Sequence, residues 1–247
     1  MFNPVQKGFE RSAESVRYEE LEPPISLSGF VHRFWEIKTE QDLLDDFRFH
    51  VLPDACVHIV FNLGEAKTAG ITALRTTAQS LNLGKKFCFV GIRFLPGVWK
   101  GNPDDFVSGV VNEPYSGAMP LVELCGVLSN LSSLVEKLPV LSELVQQLVD
   151  KNMVAIDATT RKIVTQIGSI RSVADMAAAT GLSTRQIQRT IKRTTGLSPH
   201  DLLKIIRLQQ SFVQHYLDLY SDQPHYCLLY TSPSPRDATL SRMPSSA

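Results

Sequence analysis

The chain is 247 residues long, 43% hydrophobic and 20% charged, which excludes a disordered or collagen-like chain and leaves room for one large domain or two small ones. Lys and Arg number 25, as do Asp and Glu, so bulk charge points to no polyanionic partner. The distribution is uneven: residues 1–160 hold 14 basic and 20 acidic side chains, whereas 161–210 hold nine basic and two acidic ones, a surplus that suits either a negatively charged partner or a solvated helical face.

Residues 1–24 are polar, end in Glu22-Pro23-Pro24, and are expected to form a loosely attached arm. They hold no apolar run of the signal-peptide kind, no later stretch approaches a transmembrane length, and Cys56, Cys88, Cys125 and Cys227 are scattered without a CxxC pair. A cytoplasmic location without membrane association is expected. Residues 25–115 read as strands separated by turns. The aromatic and β-branched run Phe30–Ile37, the run Cys56–Leu63 ending at Gly64, and Phe87–Leu95 ending at Pro96-Gly97 suit pleated surfaces and predict a β-roll or small barrel. From Leu121 to Leu148, leucines recur at three- and four-residue steps, a helical period expected to break at Pro139. That stripe serves either as core or as a homodimer face. Residues 150–160 read as a linker or helix junction, and 161–220 as nearly all helix.

Within 161–220, residues 172–195 read as a helix-turn-helix. Ser172 with Asp175 has the spacing of an N-terminal cap, Val173, Met176 and Ala177 share a face, and Thr180-Gly181 ends the helix. Ser183 with Gln186 has the capping-box spacing for a second helix, which buries Ile187 and Ile191. Thr184, Arg185, Gln186, Gln188, Arg189, Lys192 and Arg193 are left for the outer faces, with no acid among them. Gln can pair with adenine and Arg with guanine in the major groove, while Lys and Arg neutralise phosphates. The N-terminal part of such a second helix reaches the bases. Thr184, Arg185, Gln188 and Arg189 are therefore expected at bases, and Lys192 and Arg193 at the backbone. Gly196-Leu197-Ser198-Pro199 then closes this helix and starts another.

Ala177, Gly181-Leu182-Ser183, Gln188-Arg189 and Gly196-Leu197-Ser198-Pro199 together resemble the first helix-turn-helix of the AraC/XylS transcription regulators. Phe34-Trp35-Glu36, Leu52-Pro53-Asp54, Val60–Gly64 and Val90–Phe94 with Pro96-Gly97 resemble the N-terminal sensor-like domain of one branch of that family. The resemblance implies an α+β chain: a sensor or dimerisation β-roll domain with helices over 25–150, then an all-α helix-turn-helix DNA-binding domain over 151–226. It implies double-stranded DNA and RNA polymerase as partners, a small-molecule effector, and no cofactor. Tyr220–Tyr226 resembles the start of a second recognition helix, but residues 227–247 depart from the family. Rich in Ser and Pro, that tail resembles translated adaptor sequence and is expected to be disordered. A chain with one complete reading unit is expected to bind an operator weakly at physiological salt.

Two other classes are open. A small metal-dependent enzyme would use His50, His58 and Asp54 near Cys56, yet no third ligand has clear spacing and no phosphate loop or nucleophile elbow is present. A ligand-binding or protein-interaction protein would use the leucine stripe or a pocket. For a pocket the candidates are Trp35 as a stacking surface, His58 as a switchable donor and Arg93 as a fixed cation. Their structural alternatives are a core aromatic, a core histidine and a surface arginine.

Overall fold

The computed structural model describes residues 15–72, 74–101, 106–107, 110–111 and 119–219, with backbone alone for 106–107 and 212–219. The expected second reading unit and tail, 220–247, lie outside the described residues. Among the described residues eight strands are seen: β1 (Val16–Leu21), β2 (Val31–Thr39), β3 (Phe47–Val51), β4 (His58–Asn62), β5 (Thr68–Thr72), β6 (Gln79–Gly84), β7 (Cys88–Phe94) and β8 (Phe106–Val107). Six α-helices follow: α1 (Leu121–Ser129), α2 (Leu134–Asp150), α3 (Ala158–Thr165), α4 (Val173–Thr180), α5 (Thr184–Thr195) and α6 (Pro199–Leu219). This is an α+β arrangement, with the sheet first and the helices after it.

Six strands form one sheet in the order β1-β2-β7-β4-β5-β8, antiparallel except for the β5–β8 pair. Among the described residues the sheet is open, with β1 and β8 as its edges, where a β-roll or small barrel was expected; β3 and β6 pair separately as a two-stranded ribbon. The loose arm expected over 1–24, of which residues 1–14 lie outside the described residues, is corrected at Val16–Leu21, which pairs along its whole length with β2 as a sheet edge, from Val16 opposite Thr39 to Leu21 opposite Phe34. Its charged composition hid the strand, and its polar side chains are accommodated by partners described below.

Side chains alternate across the sheet with the period of two that a pleated strand imposes. Phe34, Ile59, Phe61, Val90, Ile92 and Phe94 pack with Leu121, Leu128, Leu134, Leu141, Leu144 and Leu148 of α1 and α2. Trp35, Ile37, Val60 and Phe89 pack in another cluster with Phe47 of the ribbon, Phe87 and Val111. The leucine stripe is thus core within this chain, and a dimer would have to use another surface. The helical break falls at 130–133 rather than at Pro139, which lies inside α2. Pro139 is tolerated there because it is exposed and the residue four before it, Val135, is 59% exposed, so water can satisfy the carbonyl that proline leaves unbonded.

Helices α3 to α6 share a further cluster built on Ile163, Met176, Ile187, Ile191, Leu202 and Ile206. Ala55 and Cys56, from the turn between β3 and β4, belong to that cluster too. Gln209 of α6 donates to the Pro53 carbonyl at 2.7 Å, and Trp99 pairs with Val154 in a short bridge. The described residues up to Gln210 accordingly pack as one unit, and the chain from Ser211 belongs to another. Among the described residues no helix is long and apolar enough to cross a membrane.

Candidate functional site

The first candidate is the outer face of α5. Ser172 caps α4 by accepting from the Asp175 amide, and α4 ends at Gly181 with φ 75°. A residue with a Cβ is strained in that left-handed conformation. Ser183 and Gln186 form the reciprocal capping box that their spacing predicts, and α5 closes on Gly196 at φ 71°. Ser198 caps the following helix by accepting from the Asp201 amide. Ile187 and Ile191 are fully buried, and Thr194 bonds Thr160 of α3 across 2.8 Å. Arg207 of α6 donates to the Arg171 carbonyl just before α4.

With its inner face fixed in this way, α5 presents Thr184, Arg185, Gln186, Gln188, Arg189, Lys192 and Arg193, all exposed. At about 100° per residue, Arg185, Gln188, Arg189 and Lys192 fall within roughly 100° of arc, opposite the isoleucines. Thr184, Arg185, Gln188 and Arg189 make no side-chain hydrogen bond or ion pair among the described residues. The other three are partly engaged. Gln186 gives its carbonyl oxygen to the cap, accepting from the Ser183 amide at 2.8 Å, so only its amide NH2 is left to offer. Lys192 donates to the Gly196 carbonyl at 2.8 Å, and Arg193 pairs with Asp157 at 3.3 Å. A depression beside this face is lined by Val173, Gln188, Lys192, Ser198, Pro199 and His200, so the starts of α4 and α6 open beside the middle of α5.

The second candidate is a cavity of about 60 Å³ lined by sheet and ribbon residues, Trp35, His58 and Arg93 among them. Sequence reasoning named these three residues, and the fold brings them to one wall. Trp35 fits there because Gly91, directly opposite on β7, has no Cβ; one would run into the indole. Trp35 and His58 lie edge-on with ring centroids 6.3 Å apart.

Arg93 is 1% exposed and is the hub of a buried polar cluster, not a surface arginine. Its Nη2 sits 3.1 Å from Glu20 Oε1 and donates to the Tyr18 hydroxyl at 3.3 Å, while Nη1 lies 3.4 Å from His32 Nδ1. Its Nε is 3.6 Å from Asp54 Oδ2, close enough for ion pairing but without a hydrogen bond. Asp54 accepts from the Cys56 amide at 3.0 Å and bonds His58 Nε2 at 2.9 Å. Burial favours the uncharged form of each group, and pairing opposes it. Burial holds the His58 imidazole below its ordinary pKa, more than Asp54 raises it. His58 is therefore a neutral Nε2–H donor rather than a switch near pH 7. Burial and then Arg93 push His32 down to about 3, leaving Nδ1 able to accept. Burial alone would raise the Asp54 carboxyl, but His58, Arg93 and the Cys56 amide outweigh it and keep Asp54 charged. Burial pushes the Cys56 thiol well up, so it is no nucleophile.

Of the metal-ligand candidates, His50 lies on β3 of the ribbon, whereas His58 lies on β4 and is bonded to Asp54. Among the described residues no group of three or more His, Cys, Asp or Glu side chains is placed to hold a metal ion. Sequence reasoning missed Tyr18, Glu20 and Thr72 as cavity or cluster residues. For Tyr18 and Glu20 the available signal was the pairing of polar residues in the otherwise β-like VRYEEL segment, Val16–Leu21.

Residues 19–101 match the DUF6597 family, described as a domain of unknown function. The match runs from within β1 through β7 and so covers the strands that hold Trp35, His58 and Arg93 and the turn that holds Asp54, and it stops short of every α-helix. No curated protein and no solved structure shows significant similarity to the chain.

Proposed function

We propose that this chain is a sequence-specific DNA-binding transcription regulator, with α4 and α5 acting as a helix-turn-helix and α5 entering the major groove. The observation that carries the reading is the outer face of α5: unpaired Arg185, Gln188 and Arg189 project from a helix whose opposite face is locked into a core. Arg and Gln are the side chains that form bidentate pairs with guanine and adenine. Rigid backbone beneath them fixes their reach, which base reading requires. Lys192, once released from the Gly196 carbonyl, and Arg193, once released from Asp157, would neutralise phosphate. The local surplus of seven positive charges over 161–210 supplies the long-range attraction. RNA polymerase is proposed as a further partner on the family resemblance alone.

The test is the double variant Arg185→Ala, Arg189→Ala. Duplexes enriched from a random library by the unaltered chain at low salt should reveal a preferred site. The double variant should retain weak binding but lose most of the preference, since each bidentate pair contributes about 1–3 kcal/mol of discrimination. If the variant keeps the same preferred site, α5 does not read the bases as assigned.

A further inference from the structure

We propose that the cavity between the sheet and the β3–β6 ribbon binds a small molecule with a single-ring or short apolar body and one hydrogen-bond-accepting oxygen group. Three polar atoms on residues that line this cavity are buried without a hydrogen-bond partner: Trp35 Nε1, Thr72 Oγ1 and Arg93 Nε. Their residues are 8%, 4% and 1% exposed, so bulk water does not serve them. Native interiors rarely leave such atoms unpaired, and three on one cavity wall mark a place where a partner belongs.

The orphan atoms define what that partner offers. Trp35 Nε1–H and Arg93 Nε–H can only donate, and the Thr72 hydroxyl can do either. The group that satisfies them is therefore an acceptor. A cationic ligand finds no free carboxylate: Asp54 is held by His58 and the Cys56 amide, and Glu20 by Tyr18 and Arg93. Half-buried Arg75 adds a second cation to the lining.

The remaining lining defines the body. Ile37, Val51, Val60, Leu81, Leu83 and Phe89 give water few partners. At about 60 Å³ the space is well below the roughly 300 Å³ where drug-sized pockets begin, so the molecule is a single ring or a short chain. The inference stands whether or not α5 reads DNA, because occupancy is read at the cavity itself.

The experiment uses the full chain with benzamide, benzoate and toluene, followed by tryptophan fluorescence and thermal shift. Benzamide and benzoate separate a neutral acceptor from an anionic one; toluene has the body without the acceptor. At least one of the first two should bind ten-fold or more tightly than toluene and raise Tm. Thr72→Val keeps the side-chain shape and removes the hydroxyl. It should leave the Tm of the free chain unchanged or higher while weakening benzamide or benzoate about ten-fold. Trp35→Phe should weaken the same compound by a similar factor. Equal binding of toluene would make the cavity merely apolar. No binding by any probe at millimolar concentration would make it a water site. Unchanged affinity in Thr72→Val would detach the ligand from the orphan atoms. Each of these three results overturns the proposal.

Discussion

Arg93 sets the chemistry at the residue scale. A fully buried guanidinium is tolerated only because Glu20, Tyr18, Asp54 and His32 surround it. One of these neighbours makes the fold acid-sensitive. His32 titrates near 3 in the folded chain, below its ordinary value of 6.5, so the unfolded chain takes up the proton first. Its contribution to stability is full above pH 6.5 and declines as the pH falls toward 3. By pH 5 the loss from His32 should be about 2 kcal/mol, at ~1.4 kcal/mol per pH unit. Urea midpoints between pH 7 and 5 check this, and His32→Asn, which keeps an acceptor near Arg93, should flatten the decline. Little of this cluster was legible in the sequence. Trp35, His58 and Arg93 stood out as unusual side chains in apolar strands, but Tyr18, Glu20 and His32 reach Arg93 only through strand pairing between positions far apart in the chain.

At the scale of elements, local signals were the legible part. The Ser172, Ser183 and Ser198 caps and the Gly181 and Gly196 terminators stand where their spacing predicted, because each acts over three or four residues. The leucine period of α1 and α2 was equally plain, but the break was not: Pro139 sits on the exposed face, where losing one backbone hydrogen bond costs less. Lys137 was hidden within the same stripe. It is 2% exposed and donates to Glu36 Oε1 at 2.8 Å, pinning α2 to β2. Breaking a buried pair costs about 3–5 kcal/mol. Lys137→Met should fall at the low end, about 3 kcal/mol, because Lys38 still pairs with Glu36 at 2.7 Å. Chemical denaturation of that variant measures it, and an unchanged midpoint would show the pair to be dispensable.

At the scale of the whole unit up to Gln210, the β3–β4 turn joins the two candidate sites. Asp54 faces the cavity cluster, Ala55 and Cys56 pack among α3–α6, and Pro53 accepts from Gln209. Ala55 holds a positive φ of 56°, a left-handed conformation that costs a residue with a Cβ roughly 1–2 kcal/mol. The strain is sustained by contacts on both sides of the turn. The sequence predicted sheet first and helices after it, but neither the open sheet with its separate ribbon nor this shared turn, since both rest on long-range pairings that leave no local pattern. The proposed function turns on whether α5 reads bases. Fluorescence anisotropy at one fixed low salt concentration, comparing the duplex enriched from a random library with a scrambled duplex of equal length, tests it most directly. Base reading by α5 gives at least about ten-fold tighter binding to the enriched duplex, the size of one bidentate base contact. Equal affinity for the two would contradict it.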